Sequence, residues 1–323
     1  MESGGRWRWS SSFSLFVVRP DSLKAELQPR DAGLDRHFQS HPHSDCGLEC
    51  VCPARHTPPV LLLLDIGNTH THFAFARGEK VLHPGVLPTP AWRGGRAVDV
   101  LARAAAGRVI TGVALCSVVP MVTVFAGRQL RRAWPLTPFQ LTHETVRGIG
   151  IDYPAPHTIG PDRLANAIAA RALFGAPAVV VDFGTAVTFD VVNRRGDYIG
   201  GIIAPGLAAM TSYLHEKTAL LPEIKIREVT GAVGKSTEQA MLIGAVHGYR
   251  GLIRELIGKL KEELKCRRLP VVATGGYAKL MAKKLPEITA VDPLLTLKGL
   301  RLAWEMNQSK SSRKEQRTAI SAG

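Results

Sequence analysis

No apolar run in this 323-residue chain approaches the roughly 20 residues needed to cross a bilayer, so no membrane-spanning helix is expected. The stretch Phe13-Ser14-Leu15-Phe16-Val17-Val18 is too short for a secretory core, and no small-residue cleavage site follows it. A cytoplasmic location without a membrane partner is the resulting expectation. Aromatic residues are scarce, at 6%, and none interrupts the basic stretch from Lys259 to Arg268. A single-strand nucleic-acid binder needs such stacking platforms, so no nucleic-acid partner is expected despite a formal net charge of +14. The basic stretch reads as the polar face and end of a helix, and a positive field suits small anionic substrates. The cysteines number five, an odd count. Cys116 and Cys266 fall in apolar or helical contexts and read as reduced thiols. Cys46, Cys50 and Cys52 cluster near His37, His41, His43 and His56, but their spacing is not that of a usual zinc knuckle. Incidental composition is the favoured reading there.

What is present is a globular middle between two polar ends. Residues 1–58 carry seven basic and seven acidic residues and lack sustained periodicity, so they read as a disordered or extension leader. Residues 308–323 read as a disordered tail. Between them, 60–64 reads as a buried strand with 72–76 as its partner. A helix over 98–106 and a strand over 109–117 follow. Residues 162–174 form an amphipathic helix, with Leu164, Ile168, Ala172 and Leu173 on or near one face. A second strand pair spans 179–181 and 187–192, followed by a strand at 199–203. A long helix runs from about 237 to 265, and a strand lies at 270–273. The alternating order is that of an α/β fold, with domains at 59–177 and 178–307 and the default ligand site between them.

Two passages of this middle nearly repeat each other. Asp65-Ile66-Gly67-Asn68-Thr69 and Asp182-Phe183-Gly184-Thr185-Ala186 each follow an apolar run and precede a second strand. Gly lets backbone approach phosphate oxygens, and successive turn N–H groups form an anion nest. An Asp at the strand end can hold Mg²⁺ through water. Either motif alone is ordinary hairpin chemistry; together, in matching contexts, they point to a shared nucleotide-phosphate site. Thr274-Gly275-Gly276 follows a strand and would let a flat group such as adenine approach; an ordinary strand-to-helix turn reads equally well. Gly160-Pro161-Asp162-Arg163 opens the amphipathic helix. Asp162 there is either an N-cap or a general base for an acceptor hydroxyl. Arg163 could clamp a substrate carboxylate. Gly231-Ala232-Val233-Gly234-Lys235-Ser236-Thr237, preceded by strand-like Ile224-Lys225-Ile226, imitates a Walker loop. Its first glycine sits two residues too close to Gly234 for that motif.

Assembled, these motifs resemble type III pantothenate kinase, a family within the superfamily of sugar kinases, actin and heat-shock ATPases. The resemblance runs from about residue 60 to 304. It includes Ser117-Val118-Val119-Pro120, Gly200-Gly201 with Pro205-Gly206, and Thr218 through Pro222. It implies two ribonuclease-H-like domains with an interdomain ATP cleft, and phosphorylation of pantothenate as the opening step of coenzyme A synthesis. It further implies ATP contacts from Asp65, Ile66, Gly67, Asn68, Thr69, His70, Thr71, His72 and Thr185. Asp162 would be the proton acceptor. Tyr153, Gly160, Pro161, Asp162 and Arg163 would bind pantothenate, joined by Thr237 from the neighbouring subunit of a homodimer. Asp182 would hold a monovalent cation, K⁺ or NH₄⁺, and Asp65 would hold Mg²⁺, through water. Pro161 replaces the Ala usual in the family and removes one N–H. The family is also described as Bvg accessory factors, so a non-catalytic ATP-binding regulator on this fold is the alternative. A kinase for another small hydroxylated substrate is a further one.

Overall fold

The first sheet begins with three antiparallel strands, β1 (Pro59–Ile66), β2 (His70–Arg77) and β3 (Lys80–Pro88). The structure is a computed structural model that describes residues 59–321, with side chains to 308. The Cys/His cluster and the leader lie outside the described residues. Helix α1 (Arg96–Ala104) leads to β4 (Val109–Ser117), parallel to β1, and α2 (Pro120–Ala133) leads to β5 (Phe139–Gln140), parallel to β4. The strand order is β3-β2-β1-β4-β5.

The second sheet repeats this plan. After β6 (Gly150–Ile151) and helix α3 (Pro161–Phe174) come β7 (Ala178–Phe183), β8 (Ala186–Val192) and β9 (Asp197–Pro205), again antiparallel. Helices α4 (Leu207–Lys217) and α5 (Thr237–Glu263) precede β10 (Val271–Thr274), parallel to β7. Helix α6 (Ala278–Ala282) then leads to β11 (Ala290–Val291), parallel to β10, and α7 (Leu295–Ser321) closes the described chain. The order β11-β10-β7-β8-β9 mirrors the first sheet, with β6 added at the β9 edge. Two such sheets are the paired ribonuclease-H-like architecture. The helix α7 runs through residues 309–321, where the sequence suggested a disordered tail.

Strand alternation explains both the apolar runs and the site. Val60, Leu62, Leu64 and Ile66 join one core with α1 and α2, whereas Leu61 and Leu63 join another with α3 and α7. A strand buried on both faces needs an unbroken apolar run. In β7, Val179, Val181 and Phe183 face α5, while Ala178 and Val180 face the α3/α7 layer. The α3/α7 layer is therefore shared by both sheets. By period two, Asp65 follows Leu61 and Leu63, and Asp182 follows Ala178 and Val180. Both aspartates are directed toward α3.

Helix α3 starts with Pro161 at its first position, which suits the fixed φ of proline, and Gly160 precedes it as N-cap. The N-cap reading of Asp162 is thus corrected. All residues from Leu164 to Ala170 are buried, whereas Ala172 and Leu173 are exposed. The single apolar face expected for this helix is replaced by burial all round, made possible by small alanines.

Residues 218–236 lack strand or helix, so the strand-like reading of 224–226 does not hold. Ile224 packs on Met241 and Leu242 of α5 instead of pairing with a sheet edge. Glu228 anchors this segment through a two-pronged pair with buried Arg250, at 2.8 Å on both arms. The Arg250 hydrogen bonds hold the Glu228 carboxyl down at about 2, from 4.5. Its contribution is complete above 4.5 and lost only as pH falls toward 2. Glu228→Gln should therefore cost about 1–3 kcal/mol at neutral pH, because a buried guanidinium loses its counter-charge. Thermal unfolding of the two proteins checks this, and equal melting temperatures would rule it out.

Candidate active site

Each Asp-x-Gly turn is closed by its glycine N–H, across two residues in the first and one in the second. Gly67 N–H donates to the His70 carbonyl at 3.0 Å, and Gly184 N–H donates to the Ala186 carbonyl at 3.1 Å. Each turn is braced from behind. Thr89 Oγ1 donates to the Gly67 carbonyl at 2.7 Å, and Gly206 N–H donates to the Thr185 carbonyl at 3.1 Å. The turns approach each other directly: Thr69 Oγ1 and Thr185 Oγ1 lie 3.4 Å apart, although 116 residues separate them.

Asp162 completes this junction from the first turn of α3. It accepts from the Arg163 N–H at 2.8 Å. Burial pushes its carboxyl up, while the Arg163 backbone N–H and guanidinium oppose the rise. Asp65 is pushed to about 8 by burial, then by the charges of Asp162 and Asp182. Asp182 is pushed to about 7 by burial, then by Asp190 and Asp162. The charge of Asp162 raises both Asp65 and Asp182, so the three carboxylates lie in one electrostatic field. Asp65 and Asp182 thus share one buried electrostatic neighbourhood with Asp162.

Arg163 is committed in part to the protein itself. Its Nε donates to Asp190 at 2.6 Å and one Nη to the Phe189 carbonyl at 2.9 Å. The Nε edge is thereby consumed, so any carboxylate clamp must use the other edge of the fork. The guanidinium lies over the Tyr198 ring, 5.7 Å from its centroid, and Tyr153 meets Tyr198 edge-on at 6.2 Å. The structure therefore joins Tyr153 to Arg163 through an aromatic residue that the sequence pattern does not single out.

The family model for type III pantothenate kinase matches residues 61–259. Two curated relatives with that description share 248 aligned residues, 76% of this chain. The relative from Akkermansia muciniphila is 47% identical with 98% of its length covered; that from Methylacidiphilum infernorum is 45% identical with 88% covered. The chain belongs to the type III pantothenate kinase family. A solved structure from Campylobacter jejuni, described as a Baf family transcriptional activator, aligns with a TM-score of 0.51 at 20% identity. The alignment covers 77% of this chain and 99% of that one, and it supports the fold alone.

The motif residues divide by exposure. Asn68, Thr69, His70, His72 and Thr185 are exposed. Ile66 and Thr71 are fully buried on the opposite face of the sheet. Thr71 pairs with Ile66 across the ladder, bonds Thr89 Oγ1 at 3.1 Å, and accepts from Trp92 Nε1 at 3.1 Å. With both side chains buried, any ATP contact of Ile66 and Thr71 would run through their backbone. Thr237 is exposed at the start of α5, capped by Ser236, which accepts from Gln239 N–H at 3.2 Å. No hydrogen bond joins Thr237 to Tyr153, Asp162 or Arg163 among the described residues. Gly275, with φ +87°, backs onto Asp182: an added Cβ would lie 2.4 Å from its Oδ1. The protein's own packing is therefore reason enough for a glycine there.

Sequence reasoning missed Asn166 and gave Asp190 no role. Asn166 Nδ2 donates to Asp190 at 3.1 Å and faces Asp182 at 3.4 Å. The spacing from Asp162 to Asn166, one helical turn, was the available signal. The oxygen-rich set of Asp65, Asp162 and Asp182 suits a hard cation; burial is the main cause of their raised carboxyls, with neighbouring carboxylates adding to it at Asp65 and Asp182. Among the described residues no three His, Cys, Asp or Glu side chains form a metal cage.

Proposed function

We propose that this protein transfers the γ-phosphoryl group of ATP to the hydroxyl of pantothenate, opening coenzyme A synthesis. The observation that carries the reading is the 3.4 Å approach of Thr69 and Thr185 across the junction of the two turns, with Asp162 in the same field. Turn N–H groups near Gly67 and Gly184 bind phosphates. Asp162 accepts the proton of the substrate hydroxyl while that oxygen bonds to phosphorus and the bond to the β–γ bridging oxygen breaks, releasing ADP. A carboxyl raised by burial is a stronger base than a solvated one. The free edge of Arg163 receives the substrate carboxylate, and Tyr153 walls the acceptor side. Asp65 would hold hydrated Mg²⁺ and Asp182 a K⁺ or NH₄⁺ ion, supplying charge neutralisation for the transferring phosphoryl group.

The enzyme acts as a cytoplasmic homodimer in this reading, with Thr237 reaching the partner's substrate site. Among the described residues, no helix is long and apolar enough to cross a membrane. The deciding experiment is ADP release, coupled to NADH oxidation, with and without pantothenate. Release independent of pantothenate would favour another acceptor, and no release would favour the regulator reading. Replacing K⁺ by Na⁺ should lower turnover by about tenfold or more if Asp182 holds the monovalent ion in a charge-neutralising role. Unchanged turnover in Na⁺ would remove that role.

A further inference from the structure

We propose that Asn166 and Thr296 are positioning residues that tie the cation side of the cleft to its substrate side. The inference rests on the functional reading above and assigns work to two residues outside its chemistry. Asn166 is buried in α3, and its single amide nitrogen faces two carboxylates, Asp182 at 3.4 Å and Asp190 at 3.1 Å. An amide nitrogen has two hydrogens, one for each acid. Asp190 in turn receives the Nε–H of Arg163 at 2.6 Å. The chain of contacts therefore runs from Asp182 through one amide to the arginine that faces substrate.

The orientation of that amide is set from α7. Thr296 Oγ1 lies 2.8 Å from Asn166 Oδ1 and is itself buried. Were the amide reversed, its oxygen would face two carboxylates, so the acids and Thr296 specify one arrangement together. The helix approach that permits this is tight. A Cβ on Gly299, three residues after Thr296, would lie 1.8 Å from the Ala165 carbonyl oxygen. Any larger residue would push α7 from α3 and draw the Thr296 hydroxyl off Asn166. The C-terminal helix thereby supports the cleft without touching it.

Thr296→Val keeps the shape and removes the hydroxyl, leaving Asn166 Oδ1 buried and unpaired. The expected result is a rise of about tenfold in both the pantothenate KM and the K⁺ concentration for half-activation. In ligand-free protein, the thermal shift produced by KCl, referenced to choline chloride, should shrink in parallel. Thr296→Ser, which restores the hydroxyl, should return all three values toward wild type. Thr296→Ala is measured alongside, so that poor folding of one variant leaves the comparison intact. A lower melting temperature with both constants and the KCl shift unchanged would reduce Thr296 to packing and overturn the proposal. Movement of only one constant would overturn the tie between the two sides. Wild-type protein that makes no ADP with pantothenate would sink the functional reading instead, and an identical KCl shift in wild type and T296V would then still overturn this proposal.

Discussion

Asp162→Asn should lower kcat by about 10²- to 10⁴-fold, the usual worth of a positioned general base. Asn is nearly isosteric and keeps an oxygen that can accept from the Arg163 N–H, now 2.8 Å from the carboxylate. The start of α3 should therefore survive, as Pro161 and Gly160 set it rather than Asp162. Nucleotide affinity should persist, because the amides proposed to bind phosphate lie on the two turns. Removing the carboxylate whose charge raises Asp65 and Asp182 should, if anything, favour binding of the anionic nucleotide. Calorimetric titration with a non-hydrolysable ATP analogue and the coupled ADP assay separate the two effects. A kcat within a few-fold of wild type would show that positioning alone supplies the catalysis and that Asp162 takes no proton. Loss of nucleotide binding together with activity would make Asp162 a phosphate-site residue.

Much of the site was legible because strand alternation and turn chemistry are local. Asp65 and Asp182 stand out as polar residues ending apolar runs, and the following Gly in each case marks the turn. The duplicated topology follows from that signal, since each hairpin supplies the central strand of its sheet and that strand's antiparallel partner. Local patterning also misleads where one residue's neighbour faces the other way. Thr71 sits in the motif but pairs with Ile66, so the pleat turns it into the α1/α2 core. The segment 224–226 alternates like a strand, yet its apolar residue Ile224 packs on α5, a contact set by tertiary structure. Thr296 gave no signal at all. Its partner Asn166 is 130 residues distant, and only the close α3–α7 approach makes the pair meaningful.

Asp65→Asn should stabilise the ligand-free protein at pH 8 while removing activity. The folded-state carboxyl of Asp65 stands at about 8, against 3.8 in its ordinary setting. The folded state therefore holds a proton that the unfolded chain has released between those limits. Its stabilising influence is complete below 3.8 and disappears as pH rises through about 8. Asp182, at about 7, acts in the same direction over a slightly lower window. The melting temperature of the free protein should thus fall from pH 5 to pH 8. An asparagine side chain at position 65 is neutral at every pH, so the variant should show a flatter profile. A gain on the order of 2 kcal/mol at pH 8, a few degrees in Tm, is expected. This is less than the full displacement implies, because Asp162 and Asp182 readjust when their neighbour is neutral. Added MgATP should reverse the order of the two proteins: wild type gains binding energy at its carboxylates, whereas the variant has lost the ligand that holds the ion. A variant less stable than wild type at pH 8 without nucleotide would mean that Asp65 is structural. In the proposed function, a bound cation offsets the unfavourable setting of this carboxylate.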